Sequence, residues 1–239
     1  RQYATGPMID ARLVFVSKRN ENVDIFTINV DGSNEQRLTD HPGVNDYPAW
    51  SPDGQKIAFM STRDGNKEIY LMDIDGSNVQ RLTDHPAVDQ MPVWAPHSQA
   101  VAFVSERNGN ADIFIFNLEK EELTQLTDSP ANDWQPAWAP NTPELAFVSD
   151  ADGDPDLYIV NANSGLRRLT DNDIGDSQPA WSPDGQWIAF TVTADGVNSD
   201  LYMIRPDGTD LQQLTETPGL NDGPAWSPDS KFLAFSSDR

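Results

Sequence analysis

The chain has 239 residues and no cysteine, and it carries 38 Asp and Glu against 16 Lys and Arg, a formal charge of −22. Such a surface repels phosphate backbones and anionic bilayers, which excludes nucleic-acid binding and disfavours membrane-surface binding. Without cysteine there is no disulfide, thiol nucleophile or thiolate metal site, and no apolar run approaches the roughly 20 residues of a membrane-spanning helix. The absence of cysteine fits an envelope or extracellular protein, and a chain starting at Arg1 rather than Met is expected to have a processed or trimmed beginning.

Taken in chain order, a strand centred on Phe15 is followed by Asp24-Ile25-Phe26, an Asp-Gly turn at Asp31 and a Leu-Thr pair at Leu38. Next come Pro48-Ala49-Trp50, Ser51-Pro52-Asp53-Gly54, the apolar run Ile57-Ala58-Phe59-Met60, Glu68-Ile69-Tyr70 and Leu82-Thr83. The same order then recurs along the chain. Tryptophan returns at Trp94, Trp138, Trp181 and Trp226, the Leu-Thr pair at Leu126, Leu169 and Leu214, and the strand-centre phenylalanine at Phe103, Phe147, Phe190 and Phe235. The third-strand motif returns as Asp112-Ile113-Phe114, Asp156-Leu157-Tyr158 and Asp200-Leu201-Tyr202.

Each period therefore reads as four short strands. The second, four apolar residues bounded by turn signals, suits a strand buried on both faces. Asp-Gly pairs at Asp31, Asp53, Asp64, Asp75, Asp152, Asp184, Asp195 and Asp207 predict tight hairpins, because Asp-Gly supplies positive φ angles. No stretch keeps a 3.6-residue apolar period, so no long helix is expected. A repeat of about 44 residues with four strand signals predicts an all-β β-propeller of four-stranded antiparallel blades, in one domain over residues 1–239. Five full repeats and a half repeat are present, so the ring is six-bladed or five-bladed. Residues 221–239 align with residues 1–19, and Tyr3-Ala4-Thr5-Gly6 falls where other copies carry Pro-Ala-Trp. The chain is then a fragment of a six-bladed protein, a five-bladed ring closed by its last Pro-Ala-Trp strand, or a subunit whose half-blade is completed by a neighbour's strand.

The run Trp50-Ser51-Pro52-Asp53-Gly54, Ile57-Ala58-Phe59, Arg63-Asp64-Gly65, Glu68-Ile69-Tyr70, Asp75-Gly76 and Arg81-Leu82-Thr83 resembles the TolB-like β-propeller repeat over nearly the whole chain. The Ser-Pro-Asp-Gly element is intact again at Ser182 and drifts at Ala95, Ala139 and Ser227. The resemblance implies a six-bladed, usually extracytoplasmic binding platform. Related blades cap some serine peptidases and occur in polysaccharide lyases, so fold alone does not set function.

Two acidic groups are candidate metal ligands. Asp46, Asp89, Asp133, Asp176 and Asp222 each precede a repeating tryptophan by four or five residues, where a propeller places side chains at one mouth of its channel. They form either a carboxylate ring for a hard cation or a basic partner, or a set of turn caps bonding local amides. Asp150, Asp152, Asp154 and Asp156 alternate like the front of a calcium loop, yet lack its distal bidentate Glu and coincide with an ordinary hairpin. Calcium is the cation these groups suit; no cofactor is required. Tyr47 and Trp134 are candidate partner-binding aromatics at the same mouth, Trp134 equally reading as a part-buried loop residue. His41, His85 and His97 lack the converging spacing of a hydrolytic zinc site, and no Gly-x-Ser-x-Gly elbow occurs. Ser17, Ser61, Ser105, Ser149 and Ser237 end the second strands, with Arg19, Arg63 and Arg107 expected to pair with the acids of the following strand.

These features predict a non-catalytic, periplasmic or extracellular platform that binds a protein or peptide at an acidic mouth, without nucleic acid or membrane insertion. The alternatives are a subunit that assembles into a homo-oligomer or filament by strand complementation, and a propeller fragment of a peptidase or polysaccharide lyase.

Overall fold

The computed structural model describes residues 12–19, 22–161, 165–193 and 198–238. The degenerate strand expected at Tyr3-Ala4-Thr5-Gly6 and the turn at Asp195 lie outside them. The described residues form twenty-one strands and no helix. They group into two compact units, residues 1–92 and 93–239.

In the first unit, β1 (Arg12–Arg19), β2 (Asn22–Asn29) and β3 (Gln36–Arg37) make a three-stranded sheet. β4 (Asn45–Trp50), β5 (Lys56–Ser61), β6 (Glu68–Asp73) and β7 (Gln80–Arg81) make a four-stranded one in sequence order. The next sheet runs β8 (Asp89–Trp94), β9 (Ala100–Ser105), β10 (Asp112–Asn117) and β11 (Glu122–Gln125). In the second unit follow β12 (Asp133–Trp138), β13 (Glu144–Ser149), β14 (Asp156–Asn161) and β15 (Gly165–Arg168), then β16 (Gly175–Trp181), β17 (Ile188–Thr193), β18 (Ser199–Ile204) and β19 (Gln212–Gln213). β20 (Asn221–Trp226) and β21 (Leu233–Ser237) pair as two strands. Every sheet is the antiparallel meander the repeat predicts, since hairpin turns join consecutive strands.

Four second strands, β5, β9, β13 and β17, are buried on both faces, as their continuous apolar runs require, whereas β1 and β21 are part-buried or exposed along their length. Phe59, Phe103, Phe147 and Phe190 are at most 1% exposed. Each stands directly opposite an aromatic of the third strand, Tyr70, Phe114, Tyr158 or Tyr202, with ring centroids 5.7–6.2 Å apart. Such cross-strand aromatic pairs stabilise a sheet beyond their buried area.

The first strands carry a bulge. Their register with the second strands shifts between Asp46 and Ala49, Trp134 and Ala137, Ser177 and Ala180, and Asp222 and Ala225. The residue before each proline takes a positive φ: Tyr47 (52°), Met91 (56°), Gln135 (53°), Gln178 (54°) and Gly223 (64°). Proline cannot donate to a ladder, and the bulge places it where no ladder donor is needed.

At five of the Asp-Gly turns, those of Asp31, Asp53, Asp75, Asp184 and Asp207, the two residues divide the work. Glycine takes the positive φ, and the Asp carboxylate caps the backbone: Asp31 Oδ1 accepts from the Ser33 amide at 2.9 Å and its hydroxyl at 2.6 Å. Asp75 and Asp207 repeat this with Ser77 and Thr209. At Gly76 a side chain is also barred sterically, because a Cβ would lie 2.7 Å from the Leu38 carbonyl oxygen. The Ser-Pro-Asp-Gly element is explained by Ser51: its Oγ donates to Asp53 Oδ1 at 2.6 Å and accepts the Lys56 amide at 2.9 Å. Ser182, fully buried, does the same with Asp184 and Trp187. In two of the drifted copies Ser98 and Ser230 sit in the glycine position at φ 55° and 59°.

Candidate functional site

One polar cluster recurs at the start of every third strand. Asp24, Glu68, Asp112 and Asp156 are at most 2% exposed, and Asp200 is half-buried. Each accepts the hydroxyl of the Thr in the Leu-Thr pair: Thr39 at 2.9 Å, Thr83 at 2.5 Å, Thr127 at 3.5 Å, Thr170 at 3.0 Å and Thr215 at 2.8 Å. The same hydroxyl accepts the amide of the residue after the acid, at 2.9–3.0 Å in all five copies. The pair thus clamps the fourth strand to the third. The acid also receives a guanidinium from the fourth strand: Arg37 to Asp24 at 2.6 Å, Arg81 to Glu68 at 3.0 Å, and Arg168 to Asp156. Arg19 and Arg63, after the second strand, have no such pair among the described residues, contrary to expectation. Arg63 and Arg107 bond Ser61 and Ser105 and lie over the Phe59–Tyr70 and Phe103–Phe114 rings, while Arg19 pairs with Glu35.

A guanidinium does not by itself set how the acid titrates: burial raises Asp156 despite its bonds from Thr170 and Arg168. Burial would raise Glu68, but bonds from Thr83, the His85 amide, Asn66 and Arg81 outweigh it and hold its carboxyl below the ordinary value. In the third copy Gln125 replaces the arginine, at 3.2 Å. Burial, with the charge of Asp128 added, raises Asp112 as well.

The five acids expected as a ring occupy two different strand positions. Asp89, Asp133 and Asp176 stand five residues before their tryptophans, the position held by Asn45 and Asn221 in the other copies, and all five of these residues are at most 2% exposed. Asp46 and Asp222 stand one residue later and are half-buried. Successive strand residues point to opposite faces, so the two groups face different surroundings. Asp133 bonds Ser149 and Thr127, yet its Oδ1 has no partner among the described residues. Burial, reinforced by Asp112 and Asp150, raises its pKa. Asp176 Oδ2 accepts Asn172 Nδ2 at 2.9 Å while its Oδ1 is unpartnered. Burial, with Asp156 and Asp154 adding charge, pushes Asp176 up to about 6.

Asn45 shows what suits this position. Its Nδ2 donates to Asp24 Oδ1 and the Val23 carbonyl, both at 3.3 Å, and its Oδ1 accepts Ser61 Oγ at 2.8 Å. Asp133→Asn supplies the same amide beside Asp112 and is expected to stabilise the protein by about 1–3 kcal/mol at pH 7.5. A raised folded-state pKa means that the wild type loses stability as pH climbs from the ordinary value of 3.8 through the folded value. The variant's advantage therefore opens above pH 4 and closes near it, which denaturant titrations at several pH values read directly. A gain independent of pH would refute the assignment.

In the acidic loop, Asp150 is tied to Asn132, accepting its amide at 2.7 Å and its Nδ2 at 2.9 Å. Carboxylate oxygens of Asp152, Asp154 and Asp156 lie within 4.8 Å of one another. Arg168 bridges Asp152, Asp156 and Asp171, just as Arg81 bridges Asp64, Glu68 and Asp84. Tyr47 is 40% exposed on its bulge. Trp134 stands at the position of Asp46, not of Tyr47, and packs against the cluster of Ala146, Val148 and Phe190. His85 Nδ1 accepts the Ala87 amide at 3.1 Å, a turn bond, and no group of three potential ligands among the described residues includes a histidine.

Residues 83–178 and 167–239 match the model of the TolB beta propeller domain, and residues 1–111 match that of the Tricorn protease N-terminal beta propeller domain. The chain belongs to the TolB β-propeller domain family. A 54-residue stretch is 37% identical to the Tol-Pal system protein TolB of Desulfosudis oleivorans, covering 23% of this chain and 12% of that protein. The fold matches the crystal structure of TolB from Acinetobacter baumannii with a TM-score of 0.80 at 22% identity, over 93% of this chain and 57% of that one. It also matches an oligogalacturonate lyase in complex with manganese, TM-score 0.70 at 14% identity, over 93% and 66% of the two chains. The chain thus spans little more than half of the TolB structure it resembles, and likenesses at such identity establish the propeller fold alone.

Proposed function

We propose that this TolB-family propeller is a non-catalytic platform that binds a protein or peptide outside the cytoplasm. One contrast carries the reading. The bulge before each proline keeps one backbone geometry in every copy, but its side chains differ: Asp46-Tyr47, Gln90-Met91, Trp134-Gln135, Ser177-Gln178 and Asp222-Gly223. The acid–threonine bond, by contrast, recurs in all five copies. A constant frame with variable display is what recognition requires, since packing would favour one residue type. The charge of −22 favours a basic partner, captured with a rate that falls as salt rises. The likeness to the Tol-Pal system protein TolB supports the extracytoplasmic placement.

The test is fluorescence anisotropy with labelled peptides of matched length, cationic and neutral, at two salt concentrations. Selective binding of cationic peptides, weakened at least tenfold by Tyr47→Ala with the melting temperature unchanged, is the expected result. Equal binding of both classes, or indifference to Tyr47, would reject the proposal.

A further inference from the structure

The repeat places an asparagine two residues before the third-strand acid in four copies, Asn22, Asn66, Asn110 and Asn198, and an aspartate, Asp154, in the fifth. The asparagine has a defined task. Asn66 Nδ2 donates to the carbonyls of His85 at 2.6 Å and Ala87 at 3.2 Å and to Glu68 Oε1 at 2.8 Å. Asn110 Nδ2 donates to the carbonyls of Ser129 at 3.0 Å and Ala131 at 2.5 Å. One –NH2 group thus fills a nest of oxygen acceptors on the loop entering the next sheet.

At Asp154 the backbone frame is retained. The Asp176 amide donates to the Pro155 carbonyl at 2.7 Å, as the Asp133 amide does to Ala111 and the Asp89 amide to Lys67. Alignment of the loops then assigns the carbonyls of Asn172 and Ile174 to the acceptor places held elsewhere by His85 and Ser129, and by Ala87 and Ala131. The side chain between them is now a carboxylate, which can only accept. Its Oδ2 is inaccessible to solvent and has no hydrogen-bond partner among the described residues. Asp176 is 0% exposed, its Oδ1 is likewise unpartnered, and the charges of Asp156 and Asp154 act on it. Arg168 does not resolve this, because it belongs to the recurring frame and answers Asp152, Asp156 and Asp171. A cleft of about 270 Å³, lined by Asn172, Ile174, Asp176 and Tyr202 among others, borders the site and gives a route in.

We propose that a divalent hard cation, calcium, takes the place of the missing amide group, held by the carboxylates of Asp154 and Asp176 and the carbonyls of Asn172 and Ile174. The donor set is all oxygen, mixes carboxylates with backbone carbonyls and is fixed by a hairpin and a loop, which suits calcium better than the smaller, reluctantly dehydrated magnesium. Two carboxylates that no guanidinium answers match the charge of one divalent ion.

The test is calcium titration by calorimetry on chelator-stripped protein at pH 7.5 in 150 mM salt, paired with thermal melts. One saturable calcium site and a rise in melting temperature of several degrees are expected, with magnesium at least tenfold weaker. Asp154→Asn restores the amide of the sibling copies, so it should abolish the calcium response and melt higher than the wild type in chelator. Asp176→Asn should weaken calcium at least thirtyfold, and Asp207→Asn, on an exposed turn, should leave binding unchanged. Absence of a saturable site, or a calcium response undiminished in both Asp154→Asn and Asp176→Asn, would overturn the proposal. So would an Asp154→Asn protein that melts lower than the wild type in chelator.

Discussion

Glu68→Ala lowers the unfolding free energy by about 3–5 kcal/mol, the loss expected when one partner of a buried, hydrogen-bonded ion pair is removed. Glu68 is fully buried and is the common acceptor for Thr83 Oγ1, Asn66 Nδ2, the His85 amide and Arg81. Truncation takes the carboxylate from the Thr83 hydroxyl and the His85 amide, and costs Arg81 and Asn66 one of their several acceptors, so Asn66 loses the carboxylate that orients it against the following loop. Glu68→Gln keeps the shape and one acceptor oxygen, so its cost is smaller, about 1–2 kcal/mol. Because the Glu68 carboxyl is held below its ordinary value of 4.5, its stabilising contribution is complete above that pH and is lost as pH falls through the folded value. Guanidinium denaturation at pH 7 and pH 3.5 checks both statements. An Ala variant within 1 kcal/mol of wild type at pH 7, or a deficit that does not shrink in acid, would show that the clamp contributes little.

The clamp also shows how much of the molecule was legible beforehand. The blades were, because each level agreed: the tryptophan beat, the four-residue apolar runs and the Asp-Gly turns all predicted hairpin-linked strands buried on both faces. The acid–threonine pairing was visible as a spacing of 15 residues in four copies and 14 in the other, but spacing alone does not say that two side chains meet across a fourth strand. The partners of Arg19 and Arg63 were misassigned for the same reason. Arg63 is nearer to Glu68 in sequence, yet a strand reverses between them and Arg81, on the neighbouring strand, reaches it instead.

The acid ring teaches a different lesson. Counting back from tryptophan merged Asp46 and Asp222 with Asp89, Asp133 and Asp176, whereas strand alternation separates residues one position apart. Aligning on Asn45, Asp89, Asp133, Asp176 and Asn221 would have revealed a buried polar position, not an exposed row. Asp154 was equally readable as the exception among Asn22, Asn66, Asn110 and Asn198, but only the structure shows what the asparagine does. Side-chain duties at a repeated position become meaningful once one copy's partners are known.

Phe147→Ala is expected to cost about 3–5 kcal/mol, as large as any single change outside the clamps. The ring is 1% exposed, stands opposite Tyr158 at 5.8 Å, and shares its cluster with Ala102, Ile113, Leu145 and Val160. Those neighbours sit on strands whose registers are fixed by ladder bonds on both sides, so the sheet cannot slide inward to fill the space. The cavity therefore persists and adds to the lost transfer energy. Phe147→Leu refills most of the volume and should recover more than half of the loss. Phe232 provides the contrast: at 70% exposure its replacement by Ala should change stability by less than about 0.5 kcal/mol. Equal effects at the two phenylalanines would mean that stability does not follow burial in this protein. Separation by several kcal/mol would locate it in the apolar second strands, leaving the bulges of the first strands free to vary.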